Sequence, residues 1–183
     1  MTSEKPRNKL LTMRAYIQTD PDNITIKRPK FTGDAGYDLI ASAEPEIVGT
    51  RKTPKSPLYK TIDYIQYETN VAVAPEEESL FYSLVYPRSS ISKYNLTLAN
   101  SVGVVDSGFR DTIKLRFRYV MQPEDLVIKE DEIFVKINLE KIYQKADKIG
   151  QLVWMAHNKP YVEYTQQLPP SERGVSSFGS TGR

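Results

Sequence analysis

Between residues 112 and 119 the chain reads TIKLRFRY, with Ile113, Leu115, Phe117 and Tyr119 alternating with Lys114, Arg116 and Arg118. A period of two puts one apolar and one basic face on an extended segment, so a β-strand is expected there. Similar runs recur: RAYIQT (14–19), TIDYIQYETNVAVA (61–74), SLFYSLVY (79–86), IFVKINL (133–139) and GQLVWMA (150–156). They are rich in Tyr, Ile and Val, which suit a pleated, half-buried surface. The stretches TGDAG, APEEE, DSG and MQPEDL supply turn chemistry between them. Before the tail, one stretch, LEKIYQKADKI (139–149), is expected to be helical. Many short strands with polar turns predict an all-β sandwich, jelly roll or barrel.

The pattern breaks in three places. Residues 49–60, GTRKTPKSPLYK, are basic with two prolines, and residues 121–132, MQPEDLVIKEDE, are acidic. Both read as surface insertions outside the core. From residue 166 the chain turns to QQLPPSERGVSSFGSTGR, whose Pro pair marks the end of a compact body at 1–165. The remaining residues, 166–183, read as a flexible arm.

Composition narrows the chemistry. The 183 residues hold 39% apolar and 10% aromatic side chains, enough for one sizeable core. Twenty-five basic against 23 acidic residues leave +2, which makes no general case for nucleic acid as a partner. With no Cys, disulfides and thiolate metal sites are excluded, and a single His argues against a His-built zinc site. No apolar run reaches membrane-spanning length and the first residues carry no secretion signal, so a cytoplasmic protein is expected. The Lys114, Arg116 and Arg118 stripe reads as a solvated strand face or part of a subunit interface.

Several polar positions invite chemistry. Asp38 lies in FTGDAGYDLIAS, and read alone is a turn carboxylate. Arg88, Ser89 and Ser90 follow a strand at what reads as a helix start, where free N–H groups, hydroxyls and a guanidinium suit phosphate oxygens; an N-cap serine beside a surface Arg is the plainer reading. In LANSVGVVDSGFRDTIKL (98–115), Asn100, Gly103, Asp106 and Gly108 sit among valines. Such a hairpin presents backbone donors and acceptors to a planar base, and a carboxylate there is able to orient and deprotonate water. The alternative is a bulged hairpin with an ordinary turn Asp.

AGYDL, PRSS, NSVGVVDSGF, ADKIGQLV and RGVSSFGSTG stand in the order and nature of the five motifs of the trimeric dUTPase family. The family patterns are AGxDL, PRSG, a hairpin ending in GxID and a Tyr, GDxxAQL, and RGxGGFGSTG. The chain therefore resembles that family over residues 31–183. The resemblance implies a β jelly roll (β-clip-like), a homotrimer with active sites shared between subunits, and Mg²⁺-dependent cleavage of dUTP to dUMP and pyrophosphate. That reaction keeps uracil out of DNA and supplies dUMP for thymidylate synthesis. Asp106 matches the carboxylate that activates water for attack on the α-phosphorus. Asn100, Gly103 and Val104 match the hairpin that reads uracil, and Phe109 the ring under deoxyribose. Ser89, Ser90 and Gln151 match phosphate contacts, Arg88 the second motif's guanidinium, and Asp38 a carboxylate near metal-bound water. Mg²⁺ is held mainly by triphosphate and water, with no direct protein ligand implied. In the arm, Phe178 matches the ring that stacks on uracil, Arg173 a partner of the terminal phosphates, and Gly179, Ser180, Thr181 and Gly182 the lining of the phosphate chain.

The departures are specific. Phe109 stands where the family has Tyr, Asp111 where Gly follows Arg110, Ser90 for the Gly of PRSG, Ala146 for the Gly before Asp147, and Ser176 and Ser177 for the glycine pair before Phe178. The inserted segments point to a phage-like or divergent branch. Two alternatives stand beside hydrolysis. A dCTP deaminase shares the jelly roll but needs a Glu where this chain has Arg110, and a guanidinium shuttles no proton at neutral pH. A nucleotide-gated regulatory module would bind a protein partner through the insertions.

Overall fold

The computed structural model describes residues 14–77, 80–157 and 160–172. Its strands are β1 (Ala15–Gln18), β2 (Ile26–Lys27), β3 (Tyr37–Ile40), β4 (Glu46–Arg51), β5 (Leu58–Glu68), β6 (Ala72–Pro75), β7 (Phe81–Tyr86), β8 (Leu96–Leu98), β9 (Gly103–Val105), β10 (Lys114–Tyr119), β11 (Leu126–Lys129), β12 (Glu132–Lys136) and β13 (Lys148–Ala156). Short 3₁₀ turns cover Ser89–Lys93, Pro123–Asp125 and Leu139–Lys141. One sheet runs β2-β3-β13-β7-β9, the other β11-β12-β5-β10-β8 with β4 also on β5, and β1 pairs with β6. All pairings are antiparallel. Two such sheets facing one core make the all-β jelly roll expected from the strand pattern. Among the described residues no helix is long and apolar enough to cross a membrane.

β10 shows why the alternation matters. Leu115 and Phe117 are buried while Lys114, Arg116 and Arg118 point outward. Two of the outward cations are occupied within the sheet: Lys114 Nζ lies 3.1 Å from Glu68 Oε1, and Arg116 Nε donates to Gln66 Oε1 at 2.8 Å, with its guanidinium over the Tyr64 ring. Inside, Tyr67, Phe117 and Tyr143 meet edge to face at centroid distances of 5.5, 5.7 and 6.0 Å. The Tyr67 hydroxyl donates to the Tyr143 carbonyl at 3.1 Å, so a phenol in the core keeps a partner. Two buried threonines bridge loops: Thr25 donates to the Thr69 carbonyl, and Thr69 to that of Ile113 at 2.6 Å.

Four expectations need correction. The helix over 139–149 is absent: only Leu139–Lys141 winds into a 3₁₀ turn. Ala146 adopts a left-handed φ of 71°, which ends helix propagation. The segment bonds to the first motif instead of to itself, with Ala146 N donating to Ala41 O and Ala41 N to Asp147 O, both at 2.9 Å. The run 61–74 is two strands, separated at Asn70 with φ 53°. Asp38 belongs to β3, not to a turn.

The fourth correction concerns the two surface insertions. Residues 49–60 form parts of β4 and β5 and bury Leu58 and Tyr59. Residues 121–132 carry β11 and the start of β12, and bury Asp125, whose carboxylate accepts from Gln122 N and the Tyr119 hydroxyl. β12 pairs with β5 through Val135 and Tyr59. Lys52 pairs with Glu130 and Lys60 with Glu132, each at 3.0 Å, so the basic and acidic segments meet.

Candidate functional site

The chemistry-bearing residues fall into two groups. The first centres on Asp38. In the sheet Asp38 stands directly opposite Gln151, and Gln151 opposite Tyr86, two residues before Arg88. Directly opposed residues present their side chains on one face. Gln151 Nε2 donates to Asp38 Oδ1 at 3.3 Å. Arg88 Nε lies 2.9 Å from the same oxygen, an ion pair without hydrogen-bond alignment. Lys148 Nζ lies 2.7 Å from the other oxygen, Oδ2. The Asp38 side chain is 16% exposed, so these three groups provide most of its solvation.

Burial is the largest single influence on this carboxyl and pushes its pKa up. The Lys148 hydrogen bond, the Arg88 charge, the Gln151 amide and the Lys148 charge together outweigh it, so Asp38 titrates below the ordinary carboxylate value. Gly36 makes the geometry possible: a Cβ there would stand 3.1 Å from Gln151 Cδ and push the amide aside.

Arg88 caps the 3₁₀ turn Ser89–Lys93, with Ile91 N donating to its carbonyl at 3.0 Å. Ser89 is exposed and Ser90 half-buried. The Ser90 hydroxyl faces the buried Tyr143 phenol; burial raises the Tyr143 pKa and the Ser90 contact opposes this. The Tyr94 and Tyr143 rings are in contact, with centroids 4.2 Å apart and planes tilted by 44°.

The second group surrounds a cavity of about 390 Å³. Asn100, Gly103, Val104, Asp106 and Phe109 line it, over an apolar floor that includes Val85, Leu98, Ile113 and Leu115. That volume lies in the range of small-molecule sites. The segment 98–115 is not one hairpin. β8 and β10 pair in the larger sheet, whereas β9 pairs with β7 in the smaller one, so the cavity opens where the chain crosses between sheets. Gly103 lies flat against the β7 backbone, where a Cβ would meet Val85 Cβ at 3.3 Å. Val104 and Phe109 are exposed apolar groups at the mouth. The Asp106 carboxylate is exposed and makes no side-chain hydrogen bond or ion pair among the described residues. Its carbonyl accepts from Phe109 N at 3.0 Å, closing a tight turn.

Within one chain the groups are separate. β3 and β9 are three strand spacings apart, roughly 14 Å at ~4.8 Å per strand. The sequence did not point to Lys148, nor to the bracing role of Arg110 or the space Gly36 leaves for Gln151. Lys148 occupies an open position of the fourth pattern, and nothing in the linear order ties it to Asp38. Arg173, Phe178, Gly179, Ser180, Thr181 and Gly182 lie outside the described residues. No group of three His, Cys, Asp or Glu side chains able to hold a metal occurs among the described residues.

The dUTPase family profile matches residues 22–182. A deoxyuridine 5′-triphosphate nucleotidohydrolase of Clostridium acetobutylicum is 33% identical over 151 residues, covering 82% of this chain and 83% of its own length. One from Bifidobacterium longum subsp. infantis is 28% identical over 168 residues, covering 89% and 85%. The fold is similar to that of the Staphylococcus bacteriophage 80alpha dUTPase with dUPNHPP, at TM-score 0.65, 23% identity and coverage of 93% of this chain and 99% of that one. It is also similar to a variant dUTPase of phage phi11 of S. aureus, described with a structural Mg(II) ion, at TM-score 0.57 and 20% identity, covering 84% and 97%. The chain belongs to the dUTPase family.

Proposed function

We propose that this protein hydrolyses dUTP to dUMP and pyrophosphate. One observation carries the assignment to residues: the unengaged Asp106 carboxylate stands in the wall of a nucleoside-sized cavity beside Asn100, Gly103, Val104 and Phe109. Uracil enters that cavity edge-on. The Asn100 amide and the backbone around Gly103 and Val104 read its donor and acceptor pattern; cytosine presents the opposite pattern and strands buried polar groups. The 5-methyl of thymine meets the flat β9 backbone. Phe109 underlies the deoxyribose.

Asp106 accepts a proton from water as the water oxygen bonds to the α-phosphorus. The bond from that phosphorus to the bridging oxygen breaks in line, and pyrophosphate departs with the electron pair. Arg88, Ser89, Ser90 and Gln151 hold the phosphates. A Mg²⁺ carried by the triphosphate fits beside Asp38, a mostly buried carboxylate that would reach it through water. When bound, the cation neutralises the phosphate charge and fixes its geometry.

The separation of Asp106 from the Asp38 group supports a site completed between copies, in a trimer as the motifs imply. For the tail, which lies outside the described residues, the motif resemblance assigns Phe178 to stacking on uracil, Arg173 to the terminal phosphates, and Gly179, Ser180 and Thr181 to the phosphate chain. A deaminase is disfavoured because Arg110 turns its guanidinium onto the Ser107 and Phe109 carbonyls.

The test is pyrophosphate release from dUTP, dCTP, dTTP and UTP side by side, with and without Mg²⁺, and ammonia release from dCTP. Turnover of dUTP alone supports the reading; ammonia from dCTP, or intact dUTP, defeats it.

A further inference from the structure

The two oxygens of Asp38 are divided between two kinds of partner. Oδ1 faces Arg88 and Gln151, both placed above among the phosphate contacts. Oδ2 faces Lys148 alone, at 2.7 Å. The Arg88 contact is poorly aligned although its Nε is buried, whereas the Lys148 contact is short. If Arg88 turns to a phosphate, Asp38 loses a cation, and a mostly buried carboxylate left without one is strongly disfavoured. Lys148 removes that obstacle.

We propose that Lys148 is a positioning residue for the phosphate half of the site: it stays on Asp38 Oδ2 so that Arg88 can leave Oδ1 for the substrate. The same division leaves Oδ1 open to cation-bound water once the triphosphate arrives. Without Lys148, Arg88 is the remaining cation on Asp38 and is withheld from substrate. This rests on the phosphate-binding role of Arg88 proposed above. It makes Lys148 act on substrate through Arg88, a relation that separate contacts to the phosphates do not produce.

The test uses the full-length protein with Mg²⁺ and dUTP. Lys148→Met should raise KM for dUTP about tenfold, the size of one lost charged contact, with kcat changed by less than about threefold. Inhibition by deoxyuridine, which carries no phosphate, should not change, and Lys148→Arg should restore KM. The Lys148 side chain is 40% exposed and Arg88 still pairs with Asp38, so the Met variant should stay folded, with a melting temperature only modestly below the parent's. Arg88→Ala should weaken dUTP on its own; adding Lys148→Met strips Asp38 of both cations and should lower the melting temperature, but at a temperature where the double variant is folded it should cost no further dUTP affinity. Independent, multiplying losses in the double variant, or an equal loss of deoxyuridine affinity, would overturn the inference while leaving Arg88 as a phosphate ligand. A silent Arg88→Ala would overturn both.

Discussion

The guanidinium of Arg110 donates to the Ser107 carbonyl at 2.7 Å, and the same nitrogen reaches the Phe109 carbonyl at 3.0 Å. It braces the turn that presents Asp106 and Phe109 to the cavity. Arg110→Ala should therefore lower kcat/KM for dUTP several-fold. The residue is exposed, so stability should change by no more than about 0.5 kcal/mol. Steady-state kinetics with a parallel melt measure both. Unchanged kinetics would mean that the turn holds without its brace.

Asp106→Asn keeps the shape and removes the base. Pyrophosphate release should fall about 10²–10⁴-fold. Affinity for a non-hydrolysable dUTP analogue, measured by calorimetry, should stay within a few-fold. Near-normal turnover would place the base elsewhere.

Acid should loosen the fold through Asp38. Its carboxyl titrates below the ordinary 3.8, so between the folded and unfolded values the folded state binds fewer protons. The stabilisation is present above 3.8 and is lost as pH falls through the folded value. Melts of the parent and of Asp38→Asn should differ most near neutrality and converge below about pH 4. A gap independent of pH would show that the ion pairs contribute nothing.

The fourth motif holds two departures that are separable by mutation. Ala146 carries a φ of 71° where the family has Gly, so Ala146→Gly should raise stability by up to about 1 kcal/mol. Position 150, Ala in the family pattern, is Gly here because a Cβ would lie 2.6 Å from Leu115 Cδ2. Gly150→Ala should cost about 1–3 kcal/mol by overpacking, and Leu115→Val should recover part of it. Denaturant titration reads both; a neutral Gly150→Ala would show that Leu115 has room to move.

Much of the framework was legible in the sequence because it rests on local periodicity. The β10 alternation sent Leu115 and Phe117 inward as expected, and the motif order brought Asn100, Gly103, Asp106 and Phe109 to one cavity. What escaped depends on long-range partners. Asp38 and Gln151 meet across 113 positions, through strand register alone. The stretch 139–149 reads as helical, yet it holds only a 3₁₀ turn at Leu139–Lys141, a left-handed Ala146 and the start of β13, and it buries Ile142, Tyr143 and Ile149 without a helix. The pairing of β12 with β5 was invisible because neither strand's own pattern names its neighbour.

That pairing changes how the two charged segments should be regarded. Phe134 is fully buried, with the Lys52 and Lys60 ammonium groups 5.0 and 5.8 Å from its ring centre. Both lysines reach on to the acidic hairpin, at Glu130 and Glu132. The basic and acidic stretches are thus halves of one structural module, built across a gap of some seventy residues. Trimming either half alone would unroof an aromatic ring and strand charges on the other, so a shortened relative is expected to have shed the two together.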